Sequence, residues 1–298
     1  MATVRRLNRE RRVKLLVSKP MHRNVILVGC KDEKGLVHRI TGVLFEAGLN
    51  IVRNGEFVDG ESNRFYMRTD VEGAVDSVGL CRALAAVLPA DAWIEMRSPK
   101  PKKIAVLATK EYHCLGDLLL RHANGDLNAQ ICAVLSNHEV LGDLVRTFDL
   151  PFHCISHVDM ARDEHERLLI EQLGEYELDY VVLAKYMRIL SPDFVRAFAH
   201  RIINIHHSFL PAFIGANPYR QAFERGVKII GATAHFVTDD LDEGPIVAQS
   251  VLPVDHRQTA RDMARAGREV EKIALSRALD LVFADRVVVV GNRTIIFD

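Results

Sequence analysis

The sequence is poor in the features that mark secreted, membrane-spanning or nucleic-acid-binding chains. It holds five cysteines among 298 residues, an odd number with no CxxC pair. That argues against a disulfide framework or a zinc knuckle and for reduced thiols in a cytoplasmic protein. No apolar run approaches the ~18–20 residues needed to span a bilayer, and the apolar residues 15–17 are too short for the core of a secretory leader. Lysine plus arginine and aspartate plus glutamate both number 39, so no net charge drives the chain toward nucleic acid. There is no internal repeat and no low-complexity tract. What remains is an ordinary globular composition, 48% hydrophobic and 26% charged. At roughly 100–200 residues per domain, the length predicts two domains.

The charge that is present is unevenly placed. Residues 1–23 carry eight basic side chains and one acid, residues 24–100 nine and eleven, and residues 101–298 carry 22 and 27. The basic stretch 1–22 reads as a solvated arm, with polyanion binding or targeting as alternatives, and Met21 as a possible native start. Residues 24–30 form an apolar, β-branched run. Helical spacing follows at Val37, Ile40, Val43, Leu44 and Ala47, then strands from Leu49 and over 64–69, a helix over 78–87 and a strand over 93–97. This βαββαβ order is the ferredoxin-like motif, predicted for residues 23–97. Two prolines and a polar composition make residues 98–102 a linker. Beyond it, for residues 103–298, continuous apolar strands (104–109, 129–136, 152–156, 180–184, 202–206) alternate with helices (115–122, 140–147, 164–173, one after Ser191-Pro192). That pattern predicts a doubly wound, mostly parallel α/β domain. The segment 136–138 reads as a helix start, residues 246–254 as a strand, 259–283 as a long helix, and the end as a hairpin.

Two clusters carry chemistry. Asn204 and His206 stand two apart at the end of a predicted strand, so their side chains share a face. In open α/β sheets ligands bind outside the carboxyl ends of the strands. An amide donor beside an imidazole suits a developing oxyanion, although a polar pair at a strand end is also a common loop anchor. In the second cluster a strand delivers His235 and then an acidic loop with Asp239, Asp240 and Asp242. The plain reading is a solvated turn. The sharper one is a carboxylate folded toward an imidazole, able to take a proton from an attacking water. His206, His235 and Asp242 are also a possible metal set, but they lack the short pairing of zinc hydrolases, and no metal is expected.

The frames N-I-H-H-S-F-L-P and D-L-D-E-G-P around Asn204, His206 and Asp242 resemble the signature of the folate-dependent formyltransferase fold, over nearly everything from Lys103 to the end. The stretch 204–221 most resembles the formyltetrahydrofolate deformylases, and D-E-K-G-L-V-H-R-I from Asp32 is similar to the ACT regulatory domain that precedes their catalytic domain. The resemblance implies that Asn204 bonds the formyl oxygen, that His206 stabilises the oxyanion and moves protons, and that Asp242 orients His206 and activates the nucleophile. It implies a supporting role for His235. It places the folate against Met187, Arg188, Ile189 and Leu190, with Asp239 from the acidic loop. The sequence departs from the deformylase pattern at Asn217 and Arg220, where lysine and histidine are expected.

The family's transferases hold a phosphate-bearing acceptor on a Gly-rich loop after the first strand. The corresponding residues 109–115 contain no glycine, and Tyr112-His113-Cys114-Leu115 resembles the deformylase loop, or is simply a strand-to-helix turn. No counterpart of the appended domain of the tRNA formyltransferases is expected here. Water is therefore the expected acceptor and 10-formyltetrahydrofolate the substrate, with no other cofactor. Formate would be supplied to one-carbon and purine metabolism. A transferase to a small amine, or a non-catalytic folate or amino-acid sensor, are the alternatives. From the ACT resemblance follow a homo-oligomer, dimer or tetramer, and an effector such as glycine or methionine at Asp32, Gly35 and Leu36. For Gly35 a helix-start glycine without ligand is the equal alternative.

Overall fold

The computed structural model describes residues 23–212 and 218–298. The basic arm 1–22, with Met21, and Asn217 lie outside the described residues. The chain divides between Ser98 and Pro99 into two compact units.

The first unit runs β1 (Arg23–Lys31), α1 (Leu36–Glu46), β2 (Asn50–Asp59), β3 (Arg64–Glu72), α2 (Ser77–Val87) and β4 (Trp93–Arg97). The strands pair in the order β2-β3-β1-β4, all antiparallel, as the βαββαβ reading requires. Helix α1 buries Leu36, Ile40 and Leu44, a stripe at i, i+4, i+8. It packs with Leu80 and Leu84 of α2 on alternate β1 side chains, Ile26, Val28 and Cys30. The Asp76 carboxylate caps α2 by accepting from the Gly79 N–H at 3.1 Å, and Gly35 opens α1 with φ +87°, a backbone region that side chains disfavour.

The second unit contains β5 (Lys102–Ala108), α3 (His113–Asn124), β6 (Ala129–Ser136), α4 (Gly142–Arg146), β7 (Phe152–Cys154), α5 (Arg162–Gly174), β8 (Tyr180–Leu183), α6 (Pro192–Ala197), β9 (Ile202–His206), α7 (Pro218–Arg225), β10 (Ile229–Phe236), β11 (Ile246–Pro253), α8 (Ala260–Phe283) and the hairpin β12 (Val287–Val290), β13 (Arg293–Ile296). Seven strands pair in the order β11-β10-β9-β8-β5-β6-β7. Those from β7 to β9 are parallel, and β10 and β11 are antiparallel to their neighbours. Strand alternation sends Ile104, Val106 and Ala108 to one face, under α3 and α8, and Ala105 and Leu107 to the other, under Leu169, Leu173, Phe194 and Phe198, so both faces are covered. The chain winds from β5 toward β7 and then returns to β8 on the other side. This leaves a topological switch point between β5 and β8, at whose carboxyl ends ligands bind in such sheets.

Two sequence expectations are corrected. The linker is shorter by a residue, because Lys102 already belongs to β5. Residues 136–138 do lead into a helix: His138 is the N-cap of a 3-10 turn, Glu139–Leu141, that runs directly into the short α4, and Ser136 Oγ donates to the Thr109 carbonyl and accepts from His138 N–H. The strand expected over 152–156 stops at Cys154, where pairing with β6 ends. Helix α7 was not anticipated.

Candidate active site

The site is built on the carboxyl end of β9. Asn204 and His206 lie on its one face, and the antiparallel register sets His235 directly opposite Asn204 and Thr233 opposite His206. Cross-strand partners are close neighbours. Here that proximity becomes a contact between Asn204 Nδ2 and His235 Nε2 at 3.2 Å. His235 Nδ1 donates to its neighbour's carbonyl, Phe236 O, at 2.9 Å, which leaves Nε2 as the acceptor for the Asn204 amide. Burial pushes the His235 imidazole below its usual range, in keeping with that neutral form. Thr233, fully buried, anchors the turn after β9: its Oγ1 accepts from Leu210 N–H at 3.0 Å and donates to the Ser208 carbonyl at 2.9 Å. The H-H-S-F-L-P frame is thereby fastened to the sheet.

Asp242 comes from the loop after β10, with φ +59°. Its Oδ2 lies 3.2 Å from His206 Nδ1 and its Oδ1 3.7 Å from His235 Nε2. Burial works to raise the Asp242 carboxyl, but the hydrogen bond from His206 and the nearby imidazoles outweigh it and hold the group below the usual carboxylate range. With Nδ1 on Asp242, His206 Nε2 is buried and has no partner among the described residues. It is the free nitrogen of an oriented imidazole.

These groups open on a cleft of about 380 Å³, within the range of small-molecule sites. Met187, Arg188, Ile189 and Leu190 all line it, together with Asn204, His206, His235 and Asp242. Residues 187–190 are held in place by Thr109 Oγ1 on Met187 N–H (2.9 Å), Arg162 Nη2 on the Ile189 carbonyl (3.0 Å) and Glu166 on Ser191 N–H (3.0 Å). Asp239 is a correction: it is exposed and absent from the cleft wall, to which its loop contributes Thr238 and Leu241. Arg220 lies on α7, exposed and paired with Glu224 at 2.9 Å, away from the cleft. In the first unit Leu36 is buried in the core, so its side chain is not available to an effector, and Asp32 is tied through its N–H to Asn63 O at 2.9 Å.

A second polar cluster, unforeseen in the sequence, backs the cleft. Lys185, only 4% exposed, lines the cleft and places Nζ 3.4 Å from Glu271 Oε2 and 3.9 Å from Glu111 Oε1. Glu271, in the middle of α8, also receives His113 Nε2 at 2.7 Å and the Tyr219 hydroxyl at 2.6 Å. Burial opposes ionisation of Glu271, yet these partners bring it down to about 2. Next to them His207 is pushed down to about 4 by burial and by the Lys185 and His206 charges. His113, Cys114 and Glu271 offer ligand atoms within 4.8 Å of one another. The Lys185 ammonium already serves the carboxylate, however, and burial raises the Cys114 thiol far above its usual range. The donor set therefore fits a hydrogen-bonded network rather than a metal.

Residues 102–279 match the formyl transferase family and residues 24–88 the ACT domain. A formyltetrahydrofolate deformylase of Escherichia coli is 54% identical over 276 residues, 93% of this chain and 99% of that protein. The chain belongs to the formyltetrahydrofolate deformylase family. The crystal structure of a deformylase from Pseudomonas syringae pv. tomato superposes with a TM-score of 0.89 at 36% identity, covering 95% of this chain and 97% of that one. A glycinamide ribonucleotide transformylase from Symbiobacterium toebii superposes at 0.64 with 33% identity and covers 66% of this chain and 95% of its own. The deformylase likeness thus takes in both units, whereas the transformylase likeness takes in about two-thirds of the chain. No helix among the described residues is long and apolar enough to cross a membrane.

Proposed function

We propose that the chain hydrolyses 10-formyltetrahydrofolate to formate and tetrahydrofolate. The observation that carries this reading is the oriented His206, with Nδ1 on Asp242 and Nε2 unpartnered on the same strand face as the Asn204 amide. One N–H of Asn204 Nδ2 is taken by His235; the other is free for the formyl oxygen. Water attacks the formyl carbon and loses its proton to the Asp242–His206 pair. The Asn204 N–H and His206 Nε2 hold the oxyanion. Collapse breaks the C–N10 bond, and the proton passes to N10. The folate itself is the substrate, and this chemistry requires no further cofactor.

Water as acceptor is supported by residues 109–115, which offer no glycine cradle for a phosphate and instead contribute His113 and Glu111 to the buried cluster. Formate released in the cytoplasm would serve one-carbon and purine metabolism. The first unit, as an ACT domain, would pair with a second copy and bind a small amino acid, glycine or methionine, through the backbone around Gly35 and the Asp32 side chain. Titrating each amino acid against activity tests that regulation, and no response to either removes it.

The reaction is tested by incubating purified protein with 10-formyltetrahydrofolate and no amine, and assaying both products. Equimolar formate and tetrahydrofolate are expected, falling ~10²–10³-fold in Asn204→Ala or His206→Ala. Full turnover in either folded variant would overturn the mechanism, and binding without turnover would overturn the hydrolase.

A further inference from the structure

The crevice at the topological switch point is bridged by the protein's own side chains. In open α/β sheets that place takes a ligand. Here Glu111 lies in the loop after β5, His113 starts α3 and Lys185 follows β8, and Lys185 Nζ reaches to 3.9 Å from Glu111 Oε1. Behind them Glu271 of α8 meets Lys185 Nζ at 3.4 Å, His113 Nε2 at 2.7 Å and the Tyr219 hydroxyl at 2.6 Å. Groups borne by both loops, by α7 and by α8 thus converge on one carboxylate. Packing alone does not account for them. Lys185 has φ +63°, a backbone region where glycine is at ease and a side chain is disfavoured. A buried ion pair contributes little net stability against its own desolvation, yet the side chains of Lys185 and Glu271 are only 4% and 1% exposed. Glycine at 185 and an apolar residue at 271 would serve the fold as well.

The network presents a wall to the cleft. Lys185 and His207 line it beside Asn204 and His206. The His207 ring lies 5.1 Å from that of His206 and 6.4 Å from that of Tyr219. With residues 187–190 given to the folate, Lys185 and His207 are the wall left beside His206, and a second substrate would have to stand where they do. We infer that Lys185, seated by Glu271, His113 and Tyr219, is a specificity-determining plug that fills the place of an acceptor, admitting water and excluding amines. This rests on the hydrolase reading above and deepens it from the reaction to the choice of acceptor. An amine that did enter would follow the same steps. Its nitrogen would bond to the formyl carbon, its proton would pass through the Asp242–His206 pair to N10, and the C–N10 bond would break, giving an N-formyl amine and tetrahydrofolate.

The test is a partition measurement. The full chain is incubated with 10-formyltetrahydrofolate, with and without excess glycinamide as a small primary amine, and formate and N-formylglycinamide are both quantified. A residue that only fastened α8 to the sheet would change stability and total rate, not this ratio. The wild type should give formate almost exclusively. Lys185→Gly/Glu271→Gln removes the ammonium together with the charge it meets, and glycine suits the backbone at 185. Its ratio of formylated amine to formate should rise at least about tenfold over the wild type, as changes of methylene-sized space in a pocket do. Lys185→Ala, in which His113 and Tyr219 still serve Glu271, should shift the ratio the same way. Lys185→Met keeps the volume without the charge and should stay with water. Formate alone from both opened variants, a Met variant as open as they are, or a wild type that formylates glycinamide as readily, would each overturn the inference while formate release without amine keeps the hydrolase reading in place. No formate from the wild type without amine would overturn the hydrolase reading and this inference with it.

Discussion

Replacing Gly267 by alanine inverts the usual effect of that substitution. In the interior of an exposed helix, Gly→Ala stabilises by about 1 kcal/mol. Gly267 is in α8, one turn before Glu271 and on the same side, and a Cβ there would fall far inside van der Waals contact with the ring and hydroxyl of Tyr219. The helix backbone is fixed by its own ladder, so the ring has to move. That strains a packed contact by ~1–3 kcal/mol and removes the 2.6 Å hydrogen bond to Glu271, which is worth ~1.5–3 kcal/mol for a charged acceptor. Set against the helical gain, the net is a destabilisation of ~1.5–5 kcal/mol. Urea unfolding followed by circular dichroism measures it. The same substitution made in a Tyr219→Ala background, where the ring and hydroxyl it would strike are gone, should stabilise by about 1 kcal/mol. That reversal of sign is a coupling a double-mutant cycle reads directly. A stabilised Gly267→Ala in the wild type would refute the argument.

Two other outcomes follow from groups already described. Glu271 falls from 4.5 to about 2 in the folded chain. A depressed carboxyl contributes stability that is complete above its unfolded pKa and is lost as pH drops through the folded one. Glu271→Gln should therefore flatten the acid limb of the stability profile between about pH 4.5 and 2 relative to wild type, and an unchanged limb would contradict the network. At Gly35 a methyl group would meet nothing within 4 Å, while φ is +87°. Gly35→Ala should cost about 1–2 kcal/mol from backbone conformation alone, with Gly35→Asn milder; a neutral Gly35→Ala in thermal melts would show that the helix start relaxes.

The sequence was informative where period and chemistry coincide. Strands such as β6 and β9 read as unbroken apolar runs because both faces of the sheet are covered. Asn204 and His206 announced themselves by a spacing of two at a strand end. Asp242 could be told from Asp239 only through its frame, since three acids in one loop look alike until the backbone turns one of them inward. Glu271 was illegible: with Arg268, Glu269 and Lys272 around it, it resembles one more charge on a solvated helix face, and its partner His113 is 158 positions away. Helix α7 was missed because its eight residues, PYRQAFER, carry too few apolar positions to show a period.

The register between β9 and β10 has a consequence for how the site can be controlled. Asn204, His206 and His235 are fixed by the pitch of a seven-stranded ladder, whereas Asp242 arrives on a turn that also brings Thr238 and Leu241 to the cleft wall. A small displacement of that one turn would part the carboxylate from His206 and open that side of the wall in the same movement, while the strand-borne groups kept their places.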